Sequence, residues 1–379
     1  MNNEQVKLPM AGNHQQSSCC ANSQNPQPFA ALEEANWTNG HLELAGRHVY
    51  RIVTKLDSKD FSGTLKARWG VGRMNYTVPP GLYAVGEPAN SSPVLVSANY
   101  KLSFDSLRRE LAGLNLWLLI LDTGGINVWC AAGKGSFGTA ELIRMVKITG
   151  LSEVVSHRTL ILPQLAAPGV SAHEVRHRCG YNVVYGPVRA ADIPGFLETG
   201  NTADPSMRRT RFNLIDRLIL TPVELTALYK PVLGLTLLLL LLNLFGLLFQ
   251  GVPVSLPLLL GQTFYDLAPF LVAMLIGAVL VPALLPYIPG RALAWKGWVL
   301  GVLWAFAYIF FTATQQHWLP TAAYLLTIPA ITAFIGMNFT GSTTYTSLSG
   351  VIKEMEIALP LIILSAGLGL ISLVMTYFI

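Results

Sequence analysis

One cysteine near the middle of the chain, Cys130, lies in a segment whose residue types suit metal chemistry. Residues 127–134 read N-V-W-C-A-A-G-K, and they follow a strand-like apolar run at 116–121 and a turn at 122–125. The dipole of a helix favours a thiolate in its first turn, and a thiolate is a good ligand for a transition metal. The sequence therefore predicts a strand–loop–helix unit with a metal-ligating sulfur at the start of its helix.

The residues around this cysteine are arranged to receive a ligand. On a helix, Asn127, Cys130 and Lys134 share one face. The small residues at 131–133 are expected to leave room for something large and flat beside the sulfur. The turn at 122–125 is placed beyond the end of a strand, where ligands bind in open α/β sheets. A buried structural cysteine is the alternative interpretation.

All eight positions of this segment match a known motif. The segment resembles the cap-helix motif of the mercury-methylating corrinoid protein family (HgcA), in which the cysteine is the lower axial ligand of cobalt in a cobalamin-type cofactor. The resemblance implies that Cys130 is the catalytic residue and the cobalt ligand. The corrinoid-binding residues predicted from the motif and from the turn before it are Thr123, Gly124, Asn127, Val128, Trp129, Cys130, Ala131, Ala132, Gly133 and Lys134.

Roughly residues 60–230 are similar to the corrinoid domain of the large subunit of the corrinoid iron–sulfur protein. The similar segments are 68–76, 80–83, 96–101, 162–174 and 185–189, and residues 338–342 look related too. That subunit also carries an iron–sulfur motif and a TIM barrel, and this sequence shows neither. It has an apolar half instead, which favours the mercury-methylating family.

The resemblance implies a membrane-anchored corrinoid methyltransferase that transfers a methyl group from cobalt to mercury(II). A thiolate is a stronger, charged donor than a histidine or benzimidazole nitrogen. It should weaken the opposite cobalt–methyl bond and make the methyl group richer in electrons, as an electrophilic acceptor requires. In such a protein the cofactor carries the chemistry, and the chain sets its electronics and access.

Partners and alternatives follow from the same resemblance. It implies a ferredoxin-like iron–sulfur protein as electron donor and a methyltetrahydrofolate-linked methyl donor. One alternative is a corrinoid methyl carrier of the one-carbon (acetyl-CoA) pathway, or a paralogue with another methyl acceptor. Another is a membrane transporter with a regulatory domain.

Three motif residues are given provisional roles. The Asn127 amide is expected to orient the ligand or meet the edge of the corrin, as groups behind a metal ligand do. Trp129 is expected to pack the helix onto the sheet in preference to stacking on the corrin. For Lys134, contact with a corrin side-chain amide and simple solvation stay open.

The charge distribution divides the chain into two halves. Of 379 residues, 52 % are hydrophobic and only 12 % are charged, too apolar for a purely soluble protein. Beyond Lys230 the only charged residues are Asp266, Arg291, Lys296, Lys353, Glu354 and Glu356. Five spans are predicted near 232–249, 267–287, 297–314, 318–337 and 357–378. The apolar stretch at 252–260 is expected to be interfacial or re-entrant.

The positive residues set the predicted orientation. Lysines and arginines lie before span one, between spans two and three and between spans four and five, so the positive-inside rule places these loops in the cytoplasm. The chain is expected in the cytoplasmic membrane, with its C-terminus outside. The basic cluster at 208–211 indicates a membrane-surface anchor, and no nucleic-acid partner is expected. The N-terminus shows no apolar core of a signal peptide.

The expected fold class is an α/β Rossmann-like corrinoid-binding domain followed by an all-α transmembrane domain of about five helices. Residues 1–44 are expected to form a disordered tail, 45–226 the cytoplasmic corrinoid-binding domain and 227–379 the transmembrane domain. Predicted strands are 93–97, 116–121, 159–162 and 181–185. Predicted helices are 104–111, the Cys130 segment, 138–147, 172–178 and 190–197. This alternation favours a parallel sheet with helices on both faces.

Other motifs are given less weight. Residues 173–177 match the zinc-protease pattern H-E-x-x-H, but they lie inside the segment that the corrinoid-domain resemblance explains. Ser171 and Glu174 are expected to form a capping box at the start of that helix. The vicinal pair Cys19 and Cys20 suits a soft metal ion, although two incidental thiols in a tail are the favoured interpretation.

Overall fold

The computed structural model describes residues 35–44, 46–312, 317–339 and 348–378. The end of the predicted disordered tail is wrong, because Thr38–Leu44 form a strand. Residues 1–34 of that tail lie outside the described part, as do Cys19, Cys20 and most of the segment 338–342. Those predictions stay predictions.

A seven-stranded mixed sheet forms the first half of the described chain, in the order β1-β2-β3-β5-β4-β6-β7. The strands are β1 (Thr38–Leu44), β2 (Arg47–Ile52), β3 (Gly81–Val85), β4 (Val94–Ala98), β5 (Leu116–Leu121), β6 (Thr159–Leu162) and β7 (Asn182–Tyr185). The four strands from β5 to β7 in this order are parallel, as predicted. The prediction of a parallel sheet is wrong for the side formed by β1, β2 and β3. There β1 pairs antiparallel with β2, and β3 pairs antiparallel with β5.

Helices cover both faces of this sheet. They are α1 (Ser58–Arg68), α2 (Lys101–Glu110), α3 (Val128–Lys134), α4 (Thr139–Ile148), α5 (Leu151–Val154), α6 (Ala172–Cys179) and α7 (Ile193–Glu198). Every residue of β4 and β5 is buried, as expected for central strands covered on both sides. One core contains Phe137, Leu142 and Val175, and the other contains Phe104 and Phe196.

A buried ion network joins α1 to α2. The Lys101 ammonium donates to carboxylate oxygens of Asp60 at 2.8 Å and of Asp105 at 2.6 Å. The fully buried Arg108 guanidinium donates to Asp60 at 2.6 Å and to Asp105 at 2.8 Å. Two positive and two negative groups thus compensate one another in the core, which is the condition under which buried charges are tolerated.

The predicted start of α6 is confirmed, but its capping box is not formed. Ser171 is the N-cap residue, and its side chain makes no capping hydrogen bond. Glu174, the intended partner, instead accepts a hydrogen bond from Arg178 one turn later at 2.8 Å. An i,i+4 pair of opposite charges therefore replaces the reciprocal cap.

Among the described residues of the second half, five helices are long and apolar enough to cross a membrane. They are α10 (Tyr229–Phe249), α11 (Leu256–Leu284), α12 (Leu293–Phe311), α13 (Trp318–Asn338) and α14 (Leu348–Thr376). The stretch at 252–260 differs from its prediction, because its residues from Leu256 onward begin α11. A π-helical turn, Ile276–Leu280, interrupts α11 just before Pro282, which has no amide hydrogen to donate.

Two short helices, α8 (Leu214–Leu218) and α9 (Thr221–Ala227), connect the halves. Leu220, at the start of α9, packs in one cluster with Val281 of α11 and with Leu285, which directly follows that helix. Leu225 packs against Met274 and Ala278 in another. The connecting helices thus contact the long apolar helices, although they lie almost entirely before the predicted boundary at residue 226.

We expect a chain that ends at Thr226 to fold as a soluble domain. Both cores of the sheet lie before this point, but Leu220 and Leu225 would lose their apolar neighbours. The segment 212–226 should therefore be the least stable part. Hydrogen exchange should show slow exchange in β4 and β5 and fast exchange in α8 and α9. Aggregation of the truncated chain would show that the five long apolar helices are needed to fold it.

Candidate functional site

The loop after β5 is organised by Asn99, a residue not singled out from the sequence. Its amide oxygen accepts hydrogen bonds from the backbone amides of Thr123 at 3.1 Å and Gly125 at 3.0 Å. Its amide nitrogen donates to Asp122 at 3.2 Å. Asn99 directly follows β4, so a side chain from the neighbouring parallel strand sets the conformation of the loop that precedes α3. An asparagine at the carboxyl end of a buried strand was the available signal.

The loop leaves little freedom to its own residues. Gly125 has φ +72°, and a Cβ there would lie 2.7 Å from Thr77 Cγ2. The site therefore requires glycine on both conformational and steric grounds. Thr123 is only 1 % exposed, and its hydroxyl lies 2.8 Å from Asn99 Oδ1 and 2.7 Å from the carbonyl of Ile126. Thr123 thus shapes the loop, whereas Gly124 is exposed.

The predicted helix around Cys130 is present as α3. Asn127 is its N-cap, and the Asn127 side-chain oxygen accepts a hydrogen bond from the Cys130 backbone amide at 2.9 Å. Gly135 ends the helix with φ +85°. The asparagine therefore positions the cysteine by capping, an interaction that stabilises a helix by about 1 kcal/mol. The free Cys130 thiol is half-buried in the first turn of the helix.

The prediction that small residues leave room beside the sulfur is wrong for the two alanines that follow the cysteine. Ala131 and Ala132 are buried in the core beneath α3. A Cβ on Gly169 would lie 2.9 Å from the Ala132 Cα atom, so the backbones pack tightly there. The small side chains are needed because α3 lies close against this neighbouring segment. Gly133, in contrast, is exposed with open space around it.

Trp129, predicted to pack α3 onto the sheet, is only partly covered by the rest of the chain. Its side chain is 37 % exposed, beside the cysteine. Lys134 is exposed in the last turn of α3, a location that fits both of its open alternatives. The face that α3 turns to its surroundings therefore presents the cysteine and an exposed indole.

A cavity of about 450 Å³ opens beside the start of α3. It lies at the carboxyl ends of β4, β6 and β7, the edge at which α/β sheets bind ligands. Most of its lining is apolar, and polar groups come mainly from α1, the loop after it and α2. Its lining residues include Arg68, Arg73, Ser97, Tyr100, Ser103, Asn127, Val128, Trp129, Pro163, Pro187, Val188, Ile219 and Leu220.

Tyr100 gives this cavity a free hydrogen-bonding group. Its side chain is 5 % exposed, and its hydroxyl has no hydrogen-bond partner among the described residues. Burial raises the pKa of Tyr100, although the charges of Arg73 and Arg68 oppose this effect. The hydroxyl is therefore protonated at neutral pH. A buried polar group without a partner is costly, so it marks a place for a ligand acceptor.

The zinc-protease pattern at 173–177 does not form a metal centre. His173 and His177 are both exposed on α6, and Glu174 is engaged by Arg178. Cys179, half-buried at the end of the same helix, donates its thiol hydrogen to the Val175 carbonyl at 3.2 Å. Within the described residues, this helix supplies no cluster of metal ligands.

The sequence of this chain is similar to subunits of one kind of enzyme complex. The family model described as CO dehydrogenase/acetyl-CoA synthase delta subunit matches residues 71–197. The acetyl-CoA decarbonylase/synthase complex subunit gamma of Methanopyrus kandleri is 34 % identical over 123 residues, 32 % of this chain and 26 % of that protein. The subunit gamma of Archaeoglobus fulgidus is 32 % identical over 152 residues, 39 % of this chain and 32 % of that protein.

The subunit gamma of Methanocaldococcus jannaschii shows the same pattern, 32 % identical over 127 residues. The chain spans about a quarter to a third of the length of these relatives. The family match contains α3, the loop before it and much of the cavity lining, and it ends before α8 and α9. The family match therefore lies within the α/β domain.

Proposed function

We propose that this chain is a membrane-anchored, corrinoid-dependent methyl-transfer protein with Cys130 as the sulfur ligand of cobalt. The observation that carries the proposal is the placement of Cys130. It is a half-buried, free thiol in the first turn of a capped helix. The residues just before it, Asn127, Val128 and Trp129, line the cavity at the ligand-binding edge of the sheet, whereas Cys130 itself is not part of that lining. The similarity to subunits of acetyl-CoA decarbonylase/synthase complexes supports a role in one-carbon chemistry.

The residues present fit a corrinoid. A thiolate is a suitable soft donor for cobalt. The apolar cavity offers space for part of a large ligand, and the Tyr100 hydroxyl needs an acceptor of the kind that amide and phosphate groups of a corrinoid provide. Arg73, whose guanidinium lies 5.7 Å from the centre of the Tyr100 ring, adds a positive charge at the same wall.

Each residue of the site then has a separate task. Cys130 would hold cobalt, Asn127 would keep the sulfur in position by capping α3, and Asn99 would hold the loop before the helix. The exposed Trp129 would cover part of the bound ligand, and Tyr100 would donate a hydrogen bond to it. A bound corrinoid supplies a cobalt–carbon bond that carries the methyl group, and the protein supplies the donor and the access.

Two functions, which differ in the acceptor of the methyl group, compete for this site. The family match and the relatives support a corrinoid methyl carrier of the one-carbon (acetyl-CoA) pathway better than a mercury methyltransferase. Mercury(II) is supported by the resemblance of residues 127–134 to the cap-helix motif and by five candidate spans in place of the remaining length of the relatives. A screen of purified protein against both acceptors distinguishes them.

Location and partners are part of the same proposal. The α/β domain is placed in the cytoplasm, the chain in the cytoplasmic membrane and the C-terminus outside. A ferredoxin-like iron–sulfur protein would supply electrons, and a methyltetrahydrofolate-linked protein would supply methyl groups. Reporter fusions at residues 250 and 379 test the orientation, because both points lie on the outer side in this arrangement.

Cobalt analysis and X-ray absorption of the purified full chain test the ligand assignment. The expected result is about one cobalt per chain in a corrinoid with sulfur in its first shell. A first shell of nitrogen and oxygen only would contradict the role of Cys130, and a chain without cobalt, after reconstitution with cobalamin, would contradict the proposed function as a whole.

The Tyr100 hydroxyl should contribute to binding and not to folding. Tyr100→Phe should weaken corrinoid binding roughly three- to tenfold, the value of one neutral hydrogen bond, while stability stays the same or rises. Tyr83→Phe is the matched control, because the Tyr83 hydroxyl is buried and already donates to the Pro79 carbonyl at 2.7 Å. The control should lower stability and leave corrinoid affinity unchanged, as measured by thermal unfolding and equilibrium dialysis. The opposite pattern would remove Tyr100 from the site.

A further inference from the structure

The β1–β2 hairpin carries a cluster of metal-binding side chains far from Cys130 in sequence. His41 and Glu43 lie on β1, and His48 lies on β2. One ligand atom from each of the three lies within 4.8 Å of the others, and all three residues are exposed. This is the only such cluster among the described residues.

The backbone register brings these residues together. Glu43 pairs directly with His48, and His41 lies two residues before Glu43, so all three project from one face of the hairpin. Directly opposed residues on such strands have Cβ atoms about 4.5–5.5 Å apart. The intervening Leu42 and the following Leu44 point to the other face and pack against the core. The alternation of β1 therefore separates an apolar inner face from this ligand-bearing face.

Ring contacts hold the histidines close to one another. The His41 and His48 ring centres are 4.6 Å apart, and the His41 ring also lies 6.0 Å from that of the buried Tyr50. A shared tetrahedral ion with bonds of about 2.0–2.2 Å needs ligand atoms about 3.3–3.5 Å apart. Rotations of exposed side chains cover the remaining distance, and such rotations occur within nanoseconds.

We propose that His41, Glu43 and His48 bind a divalent cation of the zinc class. Two imidazole nitrogens and one carboxylate oxygen form a borderline donor set without sulfur, which suits Zn²⁺. The fourth coordination position is open to water or to a ligand from another protein. β1 is the edge strand of the sheet and pairs only with β2, so the ion would clamp the outermost strand.

Zinc binding by the full-length protein in detergent tests this proposal. Metals are first removed with a chelator and the thiols are alkylated, so that the cysteines do not bind the ion. Equilibrium dialysis against Zn²⁺ alone should then give about one zinc per chain, with only nitrogen and oxygen in its first shell by X-ray absorption. Loss of a group that merely supports a metal ligand weakens binding about 10- to 100-fold. His41→Ala and Glu43→Gln, which remove ligand atoms, should weaken it at least as much.

The matched control is the other histidine pair of the α/β domain. His173→Ala/His177→Ala removes two equally exposed histidines from the H-E-x-x-H segment and should leave zinc affinity unchanged. Thermal unfolding without zinc should be the same for all variants, because every substituted side chain is exposed. Wild-type protein that binds no zinc, hairpin variants that keep their zinc, or loss of zinc only in the control would each overturn the proposal.

Discussion

Replacing Cys130 with alanine should abolish methyl transfer and leave the fold nearly unchanged. The substitution removes the single proposed sulfur ligand of cobalt but little volume, and the α3 cap made by Asn127 uses the backbone amide of residue 130, which alanine retains. The measurement is methyl transfer to mercury(II) and to one-carbon acceptors in membranes that contain the reducing partner. Full activity of Cys130→Ala would refute the ligand assignment.

Two further variants sharpen this test. Cys179→Ala is the control, since this thiol is also half-buried but is engaged with the Val175 carbonyl on α6. It should keep activity close to that of the wild type. Cys130→His should retain the corrinoid, because an imidazole also ligates cobalt, and should depress transfer to mercury(II) more than transfer to acceptors of a methyl cation equivalent. Equal loss for both kinds of acceptor would contradict the proposed influence of the thiolate on methyl polarity.

Replacing Arg108 with leucine should produce the largest loss of stability in the α/β domain. The guanidinium is fully buried and donates to Asp60 and Asp105, so its removal leaves two buried carboxylates to share the single positive charge of Lys101. Breaking a buried ion pair in this way costs about 3–5 kcal/mol. The measurement is denaturant unfolding of the wild type and variant at neutral pH.

The control for this prediction is a pair on the surface. Arg178→Ala removes the half-exposed partner of Glu174 and should cost no more than about 1 kcal/mol. A similar loss of unfolding free energy in Arg108→Leu and Arg178→Ala would show that burial does not determine how much the ion network stabilises the fold.

The same network predicts how stability depends on pH. Burial alone would raise the pKa of Asp60, but hydrogen bonds from Lys101, from the Asp57 backbone and from Arg108 outweigh it and hold the pKa well below its ordinary value of 3.8. A carboxyl with a lowered pKa in the folded state stabilises the fold above the unfolded pKa, and this contribution is lost as the pH falls through the folded pKa. The difference between wild type and Arg108→Leu should therefore narrow below about pH 4.

Several features of this protein could be predicted from short stretches of sequence. The strand Leu116–Leu121 was predicted at its observed bounds because a fully buried strand is a continuous apolar run. The helix at Cys130 was predicted because residues 127–134 resemble the cap-helix motif, and the structure has it at Val128–Lys134. The later spans were predicted near their observed places because about 20 apolar residues cross a bilayer. All of these signals lie within the element that they specify.

Other features depend on residues that are distant in sequence. The hairpin of β1 and β2 and the antiparallel pairing of β3 with β5 were not predicted, although β1 alternates polar and apolar residues as half-buried strands do. The start of α11 was predicted at Leu267, eleven residues after its observed start at Leu256. Asp266 and the polar residues before it interrupt the apolar pattern there.

The sequence by itself determined the two halves of this protein, the central strands and the candidate cobalt ligand, because composition, apolar runs and a short motif act locally. Only the tertiary structure decided what surrounds that ligand. It buries Ala131 and Ala132, exposes Trp129 and brings the unpartnered Tyr100 hydroxyl to the cavity at the end of the sheet. Which side of a helix is buried depends on segments from elsewhere in the chain that pack against it, and a short sequence pattern does not specify those segments.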